Sequence, residues 1–274
     1  MGAQTGTSPV PHLVGSGLAA LLNFPLWKAS AMAQSGYKVE ASGWGGAYVA
    51  AISPPYRGAL AVVGGMTWAR AAIFYGSEVG RPLVMRLLGE EEKPSFLSLA
   101  MPPLVVSTCV QIVNQPLVRG SIQLQDPSST HNTVLEALRS ISRERGVAAL
   151  WHGTSAGVAK SVPKYCVAVI IKDTLDQWLP RPRRGDETMV LARSAVKAVS
   201  AATAGAILTN PLDVLRNEMF KTHLSMVATT RKLNAEYPNF SWFMRGAEKN
   251  LVAVAVPVAC TLFFTEQLAR LPLF

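Results

Sequence analysis

A proline stretch occurs three times: Pro25-Leu26-Trp27-Lys28-Ala29-Ser30, Pro116-Leu117-Val118-Arg119-Gly120-Ser121 and Pro211-Leu212-Asp213-Val214-Leu215-Arg216. The prolines stand 91 and 95 residues apart, and an asparagine precedes each within two positions (Asn23, Asn114, Asn210). Glutamine follows nine residues later in the first two copies, at Gln34 and Gln125. Repetition at such a period implies one structural unit used three times. The units are read as 1–92, 93–184 and 185–274 of one domain. The third copy alone keeps an acid and a base, Asp213 and Arg216.

Each proline falls inside an apolar, helix-length stretch. There it removes a backbone hydrogen bond and kinks the helix, which a membrane bundle tolerates when neighbours satisfy the freed carbonyl. Residues Ser95 to Val118 contain no Asp, Glu, Lys or Arg over 24 positions, enough to cross a bilayer. Shorter charge-free runs cover Ala198–Leu212 and Leu251–Thr265. Charged residues make up only 16% of the chain and apolar ones 49%, while mean hydropathy is a modest +0.24, so the connections carry much of the polar matter. The fold class read from this is an all-α membrane protein, with a soluble helical bundle as the alternative.

Helices are expected near 10–35, 58–88, 95–125, 153–178, 188–222 and 246–271. A short surface helix is expected at Thr130–Arg145, where Val134, Leu135, Leu138 and Ile141 recur at helical spacing. The even segments carry a second repeat. Each opens with a bulky residue, a basic or His residue and then glycine: Tyr56-Arg57-Gly58, Trp151-His152-Gly153 and Met244-Arg245-Gly246. Twenty residues after each glycine stands an acid: Glu78, Asp173 and Glu266.

The net charge of +9 fits an anionic membrane surface or solute. Nucleic acid is excluded, because the bases are scattered among apolar runs rather than gathered in a stripe with aromatics. Cys109, Cys166 and Cys260 are read as buried, reduced thiols. No secretory signal peptide is read at the N-terminus. His12, His131, His152 and His223 show no metal spacing, and no phosphate-binding glycine motif occurs. The expectation is therefore no enzyme, no metal and no cofactor.

With both repeats in place, the chain resembles the mitochondrial carrier family from about Val10 to Leu271. The family pattern is P-x-[D/E]-x-x-[K/R], then [D/E]-G-x(4)-[W/Y/F]-[K/R]-G, then [F/Y]-[D/E]-x-x-[K/R]. The best stretches are Gly146-Val147-Ala148-Ala149-Leu150-Trp151-His152-Gly153 and Thr209-Asn210-Pro211-Leu212-Asp213-Val214-Leu215-Arg216. The resemblance implies six transmembrane helices in three pseudo-symmetric repeats with short matrix helices, in the mitochondrial inner membrane. It implies alternating access governed by charge networks at both ends, and cardiolipin at the helix starts Gly58, Gly153 (with Trp151 before it) and Gly246.

The motifs are degenerate. On the matrix side Trp27 and Val118 replace the acid, and Ser30 and Ser121 replace the base, which leaves Asp213 and Arg216 without partners at matching positions. Lys28 and Arg119 supply charge three residues after the proline. On the cytoplasmic side the motif reduces to Glu78 with Arg81, Asp173 and Glu266, and Asp176 stands where a base is expected.

In the family, solute contacts lie midway along the even helices, where this chain has Gly65, Lys160 and Ala253. Lys164 shares a helical face with Lys160. Tyr165, Arg70 and Gln111 complete a lining suited to a small anion. Trp68 is read as core packing. Two functions remain. The preferred one is a carrier-fold protein whose transport is weakened or lost, kept as an accessory subunit of a larger assembly such as a respiratory complex. The alternative is an active exchanger of a small anionic metabolite. Membrane lipids are partners in either case.

Overall fold

The computed structural model describes residues 10–38, 43–90, 95–180, 182 and 186–269. It is helical throughout: α1 (Val10–Leu22), α2 (Phe24–Ser35), α3 (Gly43–Ile52), α4 (Ala59–Leu87), α5 (Phe96–Leu124), α6 (Val134–Arg145), α7 (Thr154–Ala159), α8 (Ser161–Trp178), α9 (Glu187–Thr222), α10 (Met226–Glu236) and α11 (Ala247–Ala269). Short 3-10 turns at Val147–Trp151 and Pro238–Met244 lead into α7 and α11. Among the described residues, four stretches are long and apolar enough to cross a membrane: Ala59–Leu87, Leu97–Leu124, Thr188–Thr222 and Pro238–Thr265.

The other two expected segments are each broken, and proline chemistry explains both breaks. A proline at position i strands the carbonyl at i−4. Pro163 would strand Ala159, and α7 ends there. Pro25 would strand Leu21, and α1 ends one residue beyond it, with Pro25 in the first turn of α2. By contrast α5 and α9 run straight through Pro116 and Pro211. In α5 the carbonyl stranded by Pro116 is that of Ile112, and the Trp151 indole donates to it at 3.0 Å. One tryptophan thereby keeps a 29-residue helix continuous.

Six helical columns close into a ring. α1 packs on α4 and α11, α4 on α5, α5 on α7 and α8, α8 on α9, and α9 on α11. The odd columns α2, α5 and α9 also touch one another just past their prolines, so the ring is pinched at that end.

The glycine repeat supplies the joints. Gly58, Gly153 and Gly246 all adopt left-handed backbone, with φ of 78, 85 and 69°. A Cβ on Gly58 would lie 2.7 Å from Leu124, on Gly153 2.8 Å from Phe220, and on Gly246 2.7 Å from the Gln34 amide nitrogen. Each even-helix start thus presses on the next odd column, and the third returns to the first. Side-chain amides tie the same joints. Gln125 donates to the Arg57 carbonyl at 2.9 Å, Gln115 to that of His152 at 2.9 Å, and Asn210 to that of Arg245 at 3.2 Å. Arg245 donates to the Gln34 carbonyl at 2.9 Å.

Outside the ring, the Thr133 hydroxyl caps α6 by accepting from the Glu136 amide, and the Glu136 carboxylate reaches back to the Asn132 amide, a reciprocal start signal. Glu218, 2% exposed, anchors α10. Its carboxylate holds Lys232 at 2.7 Å, Arg245 at 3.0 Å and Lys221 at 3.3 Å.

Several expectations need correction. Cys109 is exposed, and Cys166 and Cys260 are only partly covered. Trp68 is 46% exposed, hence outward-facing rather than core. Inside α4 the core neighbours are the smaller Val62, Val63 and Met66.

The joints predict a graded series in purified protein. Left-handed backbone costs a non-glycine residue roughly 1–2 kcal/mol, and the Cβ clash adds to it. Gly246→Ala, which meets backbone, should lower the melting temperature more than Gly58→Ala, which meets only the end of a leucine.

Candidate functional site

The ring encloses a cavity of about 530 Å³. Gly65 and Arg70 reach it from α4, Gln111 from α5, Lys160 from the α7–α8 break, Lys164 from α8 and Ala253 from α11. All these sequence-derived candidates share one cavity, while the Tyr165 side chain lies outside the described residues. The matrix-side motif positions Trp27, Ser30, Val118, Ser121, Asp213 and Arg216 line its pinched end.

Asp213 is the only carboxylate among the described lining residues, against the cations Arg70, Lys160, Lys164 and Arg216. It holds Lys160 at 2.7 Å and Arg216 at 3.0 Å. Asp213 therefore has a partner on another column, at a position outside the repeat motif. Lys160 stands at the boundary between α7 and α8, where its backbone remains α-helical. The structure thus makes Lys160 a strut between α7–α8 and α9. Arg70 spans the opposite wall, donating to the Ser16 carbonyl at 3.2 Å and the Thr261 hydroxyl at 3.4 Å. Lys164 forms no ion pair with any described residue and stays accessible from the cavity.

The lost motif charges have other replacements. Ser30 donates to Asn250 at 3.2 Å, and Gln34 to Asn210 at 2.9 Å. Lys28 and Arg119 do not rescue the gate. Lys28 donates to the carbonyls of Ser53 (3.0 Å) and Pro54 (2.8 Å), and Arg119 to the Ala149 carbonyl and to His223 Nδ1 (2.7 Å). Both tie connecting segments to the ring.

At the other end, neither Glu78 nor Arg81 forms an ion pair among the described residues, and the side chains of Asp173 and Glu266 lie outside them. The charge pairing there runs through Asp176, which holds Arg193 at 2.8 Å and Lys197 at 2.7 Å. Sequence reasoning missed this trio, although an acid standing where a base belongs was the available signal.

His152 and His223, unrelated in sequence, bring their rings within 6.1 Å. Burial first, then the Arg119 and Arg145 charges, push His223 down to about 4. It is neutral near pH 7, so its Nδ1 lone pair can accept from Arg119.

Residues 94–183 match the sequence model of the family described as Mitochondrial carrier protein. The mitochondrial ornithine transporter 1 of Saccharomyces cerevisiae is 26% identical over 166 residues, covering 58% of this chain and 56% of its own. The mitochondrial carnitine carrier of the same yeast is 22% identical over 200 residues, covering 70% and 61%. A mitochondrial adenine nucleotide transporter of Arabidopsis thaliana is 29% identical over 110 residues, covering 38% and 31%. Each match spans less than two thirds of the relative's length.

The Asp213 arrangement predicts unequal costs. Asp213→Asn strands two cations in the cavity wall and should destabilise by about 3 kcal/mol. Lys160→Met leaves Asp213 neutralised by Arg216, so its melting temperature in detergent should fall by less than half as much.

Proposed function

Because the chain belongs to the mitochondrial carrier family, we propose that it moves a small anionic solute across the mitochondrial inner membrane by alternating access. The observation that carries this is the cavity in which Lys164 forms no ion pair with any described residue and Arg70 stands on the same lining. A charge held in such a cavity favours an anionic partner. The relatives are named for ornithine, carnitine and adenine nucleotides; of these only the nucleotides are net anions at neutral pH, so the anionic reading rests on the cations of this cavity. All six columns are taken as membrane-spanning, in one domain of three units, 1–92, 93–184 and 185–274.

In this reading Lys164 and Arg70 bind the anion, Gln111 supplies hydrogen bonding, and Gly65 and Ala253 leave room for the solute. Lys160 tunes the site through Asp213. Solute binding transfers charge balance to the cavity wall, and the columns then exchange which end is pinched. Cardiolipin is the expected lipid at the starts led by Gly58, Gly153 and Gly246, with Trp151 beside the second.

The accessory-subunit reading rested on missing gate charges. Ser30 donates to Asn250, and Trp27 and Val118 pack at the pinched end, which is compatible with a transporter that closes without those charges. The test is uptake by proteoliposomes given a panel of labelled carboxylates and phosphates. Saturable uptake is expected, with Lys164→Ala weakening apparent affinity ~30-fold, the value of a lost charge-assisted hydrogen bond of about 2 kcal/mol. No uptake of any anion, together with co-purification in a respiratory-size assembly, would overturn transport in favour of the accessory role.

A further inference from the structure

At the pinched end of the ring one aromatic ring packs where the three odd columns meet. Trp27 and Ala31 from α2 and Val118 and Ile122 from α5 face the central cavity. Phe220 of α9, 6% exposed, packs against Ala31 and Ile122, with Trp27, Val118 and Tyr37 around them. A second pocket of about 350 Å³ is lined by Arg145, Ala148, Ala149, Trp151, His152 and His223.

Phe220 is also fixed on both sides by charge. The Arg216 guanidinium, which lines the central cavity, sits 6.0 Å from the ring centroid. The Arg119 guanidinium, bound to Ala149 and His223 of the second pocket, sits 5.9 Å from it. Guanidinium groups are attracted to aromatic ring faces, so cations from two columns, α9 and α5, meet the same ring. The Gly153 joint leaves the ring its room, since a Cβ there would lie 2.8 Å from Phe220 Cε1.

We propose that Phe220 is the gate of this end: a dry aromatic septum, clamped by Arg216 and Arg119, that closes the path where the first two repeats lack gate charges. The inference rests on the reading of the central cavity as a transport route. Sealing by packing depends on volume and dryness, so this end stays shut without ion pairs across all three odd columns. Opening it requires withdrawing Phe220 from Ala31 and Ile122 and releasing one guanidinium contact.

The seal is testable without any solute. A reporter cysteine is placed by Asn114→Cys, half-buried on the cavity lining, after Cys109, Cys166 and Cys260 are changed to serine. Reaction with a membrane-impermeant maleimide is followed from each face of proteoliposomes of single orientation. With Phe220 intact, the reporter should react from the cavity-open face only. Phe220→Ala should raise reaction from the pinched face roughly tenfold, a shift of about 1.4 kcal/mol between closed and open forms. Ile122→Ala, which thins the seal from the opposite column, should act in the same direction. Phe220→Leu, which keeps the seal apolar and filled, should stay one-sided.

Unchanged one-sided labelling in both alanine variants would overturn the proposal. So would an equal rise produced by Asp213→Asn, because ion pairing would then hold this end closed. Failure of solute uptake overturns the transport reading and leaves the labelling result intact, so the two are separately falsifiable.

Discussion

Three close contacts at glycine decide the rest of this molecule. Gly58 lies against the Leu124 side chain, Gly153 against the Phe220 ring and Gly246 against the Gln34 backbone, so each even-helix start seats directly on the next odd column. The third contact lands on Gln34 of the first column, which turns a row of helices into a closed ring. The left-handed φ at each position and the absence of a Cβ solve one problem together. The chain must reverse sharply after a short turn and still seat its backbone closely on the next column. The cavity, the pinch and the placement of Asp213 all require that ring.

The ring is threefold in backbone and asymmetric in charge. Three residues beyond the repeated proline stand Lys28, Arg119 and Val214. The first two reach outward to connecting carbonyls, and the third is fully buried in a cluster with Leu215 and Met219. A symmetric gate would spread its ion pairs over three interfaces. Here the polar work gathers on α9, where Asp213 takes charge from inside the cavity and Glu218 takes charge from outside it. Three cations around one buried carboxylate can contribute net stability because each is hydrogen-bonded and partly solvated.

Much of this was legible in the sequence, for physical reasons. Proline and glycine report backbone geometry directly, so the repeats located the columns, and α6 formed from Val134 where helical spacing required it. The cavity lining was legible too, because a column facing inward at Lys160 must also face inward one turn later at Lys164. Pair choice was not legible. Lys160 reaches Asp213 on another column across 53 positions, and sequence spacing alone does not reveal that reach. Likewise α10 was read as connection, since its polar composition hides an ordering that comes from Glu218. Helix α3 was hidden by the glycines of Gly43-Trp44-Gly45-Gly46, and the repeat that located Trp151 at a helix start gave no sign of its indole's bond to the carbonyl stranded by Pro116.

Helix continuity carries a mechanical consequence. At 36 residues, α9 is the longest element, a shaft of about 54 Å at 1.5 Å per residue. The first odd column is jointed at Asn23 and the second even column at Lys160. Stiffness is therefore distributed unevenly around a ring of equal parts. A tilt of about 5° around the middle of such a shaft displaces an end ~25 Å away by roughly 2 Å, about the width of a hydrogen bond. The jointed columns absorb the same tilt within a single turn. The third repeat works as the lever, and the first and second work as its bearings.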